Sequence, residues 1–205
     1  MTVTPPVERV GQAFARRETA GRMLAEDSGR VALACRDMAI RFHRGGKLIA
    51  FGNGGAGTDA AHVAVEFMHP VIVGKRALPA IAVSNDAAAI TAVARRQGLC
   101  QVFAHQVRHW GTPADIALGI SADGECVDVL RGLQAGHELG LLTVALTGGD
   151  GGMLGDSPAI DHLLTAQSDD PAVVKEVHVT MYHILWELVH VFLEQPGLLG
   201  PEVIR

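Results

Sequence analysis

Between residues 47 and 166 five short, almost continuously apolar runs, at 48–51, 78–84, 116–121, 142–147 and 162–166, alternate with longer segments of helical character. A strand with one face in water would alternate apolar with polar residues. Runs without that alternation need cover on both faces, which crossover helices supply to a parallel sheet. The pattern predicts an α/β core over about 47–168 built on five parallel strands. Upstream, Val31, Cys35, Met38 and Phe42 recur at helical spacing, and Val10, Phe14 and Leu24 mark an earlier helix, so about 6–44 reads as a helical region. A break is expected between Asp27 and Gly29, where Ser28 can cap and Gly29 lowers helix propensity. At the other end, residues 173–194 read as a long amphipathic helix within about 170–194.

No internal repeat, low-complexity tract or linker divides the 205 residues, and an apolar content of 48% can fill the core of one domain spanning 1–205. Helices outside a complete sheet core need their apolar faces covered, so a homo-oligomer is expected. A formal charge of −5 leaves no positive field to draw phosphate backbones or anionic lipid, and neither direct nucleic-acid nor membrane partners are expected. The first 26 residues include Glu8, Arg9, Arg16, Arg17 and Glu18 and lack the apolar stretch of a signal peptide or membrane helix. A cytoplasmic location follows as an expectation. Cys35, Cys100 and Cys126 are far apart, form an odd set and follow no CxxC spacing; they read as buried thiols in a reducing compartment.

The first apolar run enters Gly52-Asn53-Gly54-Gly55-Ala56-Gly57-Thr58-Asp59, after which Ala60, Ala61, Val63, Ala64 and Phe67 support a helix. Glycines let the backbone approach an anion, and free amides at a helix start favour negative charge. Tight connections also need glycine for steric reasons alone. The turn lacks the Gly-Lys-Ser/Thr ending of a Walker loop. Although Gly52, Gly54 and Gly57 match GxGxxG, no Asp or Glu lies between Glu66 and Asp86 to hold a ribose. No nucleotide cofactor is expected. His62 and Glu66, four residues apart on the following helix, share a face where imidazole and carboxylate can bind one cation or pass protons.

The stretch from Gly52 to Glu66 resembles the phosphoheptose isomerase motif GNGGSAADAQHxAxE. Further blocks follow in that family's order: Leu78-Pro79-Ala80-Ile81-Ala82-Val83-Ser84-Asn85-Asp86, Gln101-Val102-Phe103, Gly119-Ile120-Ser121 and Leu146-Thr147-Gly148-Gly149-Asp150-Gly151-Gly152. Lys175-Glu176-Val177-His178 with His183 is similar to QExHxxxxH, and the likeness spans most of 30–195. The chain is thereby identified as a member of the sugar-isomerase (SIS) family of phosphoheptose isomerase type. The resemblance implies a flavodoxin-like fold, terminal helices assembling a tetramer, and sites made between subunits. It also implies conversion of sedoheptulose 7-phosphate to a mannoheptose 7-phosphate, with zinc in many members. Carried over residue by residue, Glu66 is the catalytic base and His183 its acid partner, and His62, Glu66 and His183 are metal ligands. Asn53, Gly54, Gly55, Asp86, Ser121, Asp123 and Lys175 fall at substrate-binding positions. His178 is a weaker candidate, with a supporting hydrogen bond or a helix interface as its alternative.

The chain departs from the family at several of these positions. Lys175 stands where the family glutamine completes the metal set, and an ammonium offers no lone pair to a metal. Pairing of Lys175 with Glu66 in place of a metal is the expectation. Family isomerases typically carry S-T-S-G-N-S after the third strand, where this chain has Ser121-Ala122-Asp123-Gly124-Glu125-Cys126, and Ala56 replaces a serine. An ionised Asp123 cannot donate to a phosphate; Asp123 and Glu125 also read as helix-start acids. Arg95 and Arg96 replace an Asn-Asp pair and read as exposed helix arginines or a distant phosphate contact, while Asp86 can position sugar hydroxyls or cap a helix. Two functions remain open from sequence: an aldose–ketose isomerase acting on a sugar phosphate, or a noncatalytic carbohydrate-binding or regulatory scaffold. A lyase or isomerase of changed substrate is a third.

Overall fold

The computed structural model describes residues 5–70 and 72–200. In chain order the helices and strands are α1 (Pro6–Glu26), α2 (Ser28–His43), β1 (Leu48–Gly52), α3 (Gly54–Met68), β2 (Ala80–Ala82), α4 (Ala87–Gln97), α5 (Val102–Trp110), β3 (Ile116–Ile120), α6 (Val127–Glu138), β4 (Leu142–Gly148), α7 (Gly152–Gly155), β5 (His162–Ala166) and α8 (Pro171–Glu194). The five strands form one parallel sheet in the order β2-β1-β3-β4-β5, the flavodoxin-like order anticipated from the sequence. Its chain order reverses between β1 and β3, where Leu48 pairs with Ile116 and Gly52 with Ile120.

Alternate residues of each strand feed two separate cores, which explains the unbroken apolar runs. Leu48, Ala50, Leu118, Ile120, Val144 and Leu146 pack on one side with Met38 and Phe42 of α2, Val63 and Phe67 of α3, and Tyr182 and Leu185 of α8. Ile49, Phe51, Ala117 and Ala145 face the other side, against Val93 of α4, Phe103 and Val107 of α5 and Leu133 of α6. Two stacked pairs, Phe42 with Phe67 and Phe51 with Phe103, stand one in each core.

Three local expectations change. The second apolar run yields a strand of only three residues, β2, though the amide of Val83 still donates to the carbonyl of Ala50. The helix break falls at Asp27, and Ser28 makes no capping bond; it opens α2, whose amides at Arg30 and Val31 bond the Asp27 carbonyl. Of the three cysteines only Cys35 is buried, its thiol pushed up to about 12 by burial, while Cys100 and Cys126 are half-buried. No helix among the described residues is long and apolar enough to cross a membrane.

Candidate active site

The glycine turn sits at the carboxyl end of β1 beside the loop leaving β3, the position at which open parallel sheets place their ligands. Part of the glycine content is steric: a Cβ on Gly52 would lie 2.7 Å from the Ile120 carbonyl oxygen. Gly54, at φ +51°, adopts the left-handed turn that opens α3. Asn53 does not cap α3 with its side chain. Its Nδ2 instead reaches both oxygens of Asp128, at 2.8 and 2.7 Å, tying the turn to the start of α6. The first amides of a helix have no acceptor within it, so those of Gly54 and Gly55 remain available to an anion.

A cavity of about 300 Å³ opens on this turn, walled by Asn53, Gly55 and Ala56 on one side, Ser121 to Asp123 and Cys126 on another, and Lys175 and His178 of α8 on a third. A second cavity of about 320 Å³, lined by Asn53, Gly54, Ser84 and Asn85, flanks the turn on the side of α4 and α5. Asp86 is spent as a cap: its Oδ1 accepts from the Ala89 amide at 2.9 Å. Arg95 and Arg96 are exposed in the last turn of α4.

Lys175 does not pair with Glu66. Its ammonium lies 2.7 Å from Asp59 Oδ1, 3.0 Å from the Gly55 carbonyl oxygen and 3.4 Å from Thr58 Oγ1, which together use its three donors. Asp59 lies one helical turn before His62, and α8 crosses α3 at that level, so Lys175 meets the earlier acid first. Asp59 was not foreseen as its partner, although 59, 62 and 66 share one helix face by spacing.

Further along α3, Glu66 is almost buried and His62 Nε2 lies 3.2 Å from its Oε1. His183 of α8 approaches the same oxygen at 4.0 Å, and the two imidazole rings meet edge to face with centroids 5.2 Å apart. Residues 121 positions apart in the chain are thus brought to one carboxylate. One ligand atom from each of the three lies within 4.8 Å of the others, a spacing that suits a single divalent ion. The side chains of His62 and His183 are 42% and 44% exposed, so a solute can reach both imidazoles.

Tyr182, which sequence reasoning missed, sets the state of His62. Its hydroxyl is 2.6 Å from His62 Nδ1, and burial, with Asp59 and Glu66 adding to it, pushes the phenol above its ordinary range, so it stays protonated at neutral pH. When the phenol donates to Nδ1, the neutral imidazole carries its proton on Nε2 and donates to Glu66. Were a cation held at Nε2, the imidazole proton would sit on Nδ1 and the same hydroxyl could accept from it. One side chain therefore supports either use of His62. The available signal was positional: Tyr182 lies four residues after His178 on the buried face of α8.

His178 is 2% exposed, and its Nε2 donates to the Thr147 carbonyl at 2.8 Å, anchoring α8 to the end of β4. Burial holds its imidazole below the usual range and keeps it neutral, while Asp59 and Lys175 act on it with opposite sign.

In the loop after β3, Asp123 turns back on its own chain: Ser121 Oγ donates to its Oδ1 at 3.2 Å and the Glu125 amide donates to the same oxygen at 3.0 Å. Ser121 Oγ in turn accepts from the Gly124 amide at 3.1 Å. Glu125 accepts from the Met153 amide in α7. Neither acid stands in the first turn of α6, where Asp128 does, so the helix-start reading of Asp123 and Glu125 is corrected.

The SIS domain profile matches residues 15–148 of this chain. The phosphoheptose isomerase of Solidesulfovibrio magneticus is 38% identical over 181 residues, covering 88% of this chain and 87% of that protein. The phosphoheptose isomerase of Roseiflexus sp. is 40% identical over 148 residues, covering 72% of this chain and 74% of its own. Among solved structures, a phosphoheptose isomerase from Francisella tularensis superposes with a TM-score of 0.84 at 30% identity, covering 91% of this chain and 99% of that one. The phosphoheptose isomerase from Neisseria gonorrhoeae gives a TM-score of 0.82 at 30% identity, with coverages of 90% and 98%.

Proposed function

The chain belongs to the SIS-domain family, and on that premise we propose that it is an aldose–ketose isomerase acting on a sugar phosphate, of the phosphoheptose isomerase type. The observation that carries this reading is the meeting of Glu66 and His183 at 4.0 Å on helices packed beside an amide-rich turn, in a chain similar to named isomerases along most of its length. A purely binding or scaffolding role is not favoured by that similarity.

Isomerisation moves one proton between adjacent carbons. Glu66, as carboxylate, takes the proton from the carbon beside the carbonyl, and the electron pair left behind forms an enediolate, whose remaining hydroxyl proton passes from one oxygen to the other as the new carbonyl forms. His183, as acid, returns a proton at the neighbouring carbon. Both groups must reach one small fragment of substrate, and their 4.0 Å separation supports that reading. His62 fixes Glu66 Oε1, and Tyr182 fixes His62, so the base is held by a chain of two hydrogen bonds rather than left to rotate.

His62, Glu66 and His183 would also hold zinc, which would polarise the sugar carbonyl as a Lewis acid. Lys175 lies outside that set, held by Asp59, so its charge does not stand in the way of a three-ligand site. The amides of Gly54 and Gly55, unbonded within α3, would receive the phosphate. A homo-oligomer, a tetramer in keeping with the resemblance, would cover Val7, Val10 and Phe14 of α1, which are 83%, 57% and 71% exposed.

Incubation with sedoheptulose 7-phosphate in D2O tests the proposal. Conversion to an aldose carrying solvent-derived deuterium at C2 is expected, and Glu66→Gln should lower kcat by roughly 10²–10⁴-fold. Turnover that persists unchanged in Glu66→Gln, or no turnover at high enzyme concentration, would refute it.

A further inference from the structure

In the loop that follows β3 this chain departs from the family motif S-T-S-G-N-S, and its hydrogen bonds show what the departure does. In an anion-binding loop the donors point at the ligand. Here two of them, the Ser121 hydroxyl and the Glu125 amide, already point at a carboxylate oxygen, that of Asp123. The group that displaces the family serine thus supplies its own anion to the donors of its loop.

We infer that Asp123 is an intramolecular competitor for the substrate phosphate, a specificity-determining carboxylate that must leave Ser121 and the Glu125 amide before a phosphate dianion can be seated on that side of the cavity. The inference rests on the isomerase reading above and sharpens its substrate class.

Three features of the structure make the side chain, rather than the loop, the part that has to move. Gly124, at φ +75°, packs so closely under the next turn that a Cβ there would overlap the Gly151 carbonyl. The Leu154 amide bonds the Gly124 carbonyl at 3.1 Å, and Glu125 is bonded to Met153. The loop backbone is therefore clamped against α7, whereas Asp123 is exposed and free to swing outward. Charge points the same way. Lys175, the cation on this cavity, is taken by Asp59 and leaves the charge of Asp123 uncompensated there. A carboxylate within contact range of a dianion repels it, and the repulsion is removed only by displacement or by losing the charge. A sugar whose distal end carries a hydroxyl or an amine meets no such penalty, since Asp123 can accept from either.

The test uses the full-length chain and two variants. Asp123→Asn keeps an acceptor for Ser121 and the Glu125 amide but removes the charge; Asp123→Ser restores a hydroxyl donor. Both are expected to bind inorganic phosphate at least about 10-fold more tightly than wild type in calorimetric titration. Both should also lower KM for sedoheptulose 7-phosphate by a similar factor. Folded variants that bind phosphate no tighter than wild type would overturn the inference. On the wild type itself, saturating phosphate should move the Asp123 carboxyl carbon and Glu125 amide resonances. Resonances unmoved at saturation would overturn it too, whatever the variants do. Because phosphate binding is read without turnover, tighter binding by an enzyme that isomerises nothing would sink only the isomerase reading, and turnover with unaltered phosphate affinity would sink only this one.

Discussion

Replacing Lys175 by Met removes the ammonium and keeps most of its stem, and the structure states which carboxylate will feel the loss. At the 2.7 Å separation of Lys175 Nζ and Asp59 Oδ1, the attraction between unit charges is about 6 kcal/mol at an effective dielectric near 20 and about 1.5 kcal/mol in bulk water. The Lys175 side chain is 47% exposed and that of Asp59 only 7%, so the pair lies between these limits. Holding a lysine side chain in one geometry costs about 1–2 kcal/mol, and partial exposure screens the pair further. Set against that, Asp59 left without its cation keeps a desolvation penalty. A net destabilisation of about 2 kcal/mol is expected for Lys175→Met, or about 4–8 °C in Tm for a chain of this size. Denaturant titrations of Lys175→Met, Asp59→Asn and the double variant, at one fixed protein concentration, isolate the coupling. A value of about 1 kcal/mol or more is expected. The parallel cycle with Glu66→Gln should give less than about 0.5 kcal/mol, because Lys175 does not reach that carboxylate. Coupling with Asp59 under about 0.5 kcal/mol, or larger coupling with Glu66, would refute the assignment of Lys175 to Asp59.

Tyr182→Phe deletes the hydroxyl that orients His62, and a loss of about 10–100-fold in zinc affinity or kcat is expected, read by metal titration and by turnover; values within about 2-fold of wild type for both would show that His62 needs no such support. His178 gives a pH dependence of defined sign. Burial lowers its folded-state pKa below the usual 6.5, so its stabilising effect is complete above that pH and declines as pH falls, because the unfolded chain protonates first. In urea titrations from pH 7 to 5, wild type should lose up to about 1.4 kcal/mol per pH unit more than His178→Asn, whose amide can still donate to Thr147. Parallel pH profiles for the two proteins would remove His178 as the cause.

Much of the molecule was legible before any coordinates. Apolar runs without alternation require two covered faces, and two cores on either side of a parallel sheet are what the structure contains. The spacing of His62 and Glu66 places both on one face of α3 regardless of what packs there. The family motif carried the pairing of His183 with Glu66, which periodicity alone could not supply.

What periodicity leaves open is the far end of each side chain. A helical repeat fixes the face from which Lys175 leaves α8, but the carboxylate it meets depends on where α8 crosses α3, and the crossing brings it to Asp59 one turn short of Glu66. Tyr182 reads from sequence as one more core residue of an amphipathic helix, and only the packing of α8 on α3 turns its hydroxyl into the group that sets the tautomer of His62. The charge of Asp123 was visible in the chain, whereas its direction, inward onto Ser121 and the Glu125 amide, was decided by the clamp of its loop against α7. Sequence determined which elements form and which faces they bury, because those follow from local sterics and the removal of apolar surface from water. Tertiary structure alone decided which charges and donors are partnered, because hydrogen bonds and ion pairs depend on distances of a few ångströms between residues far apart in the chain.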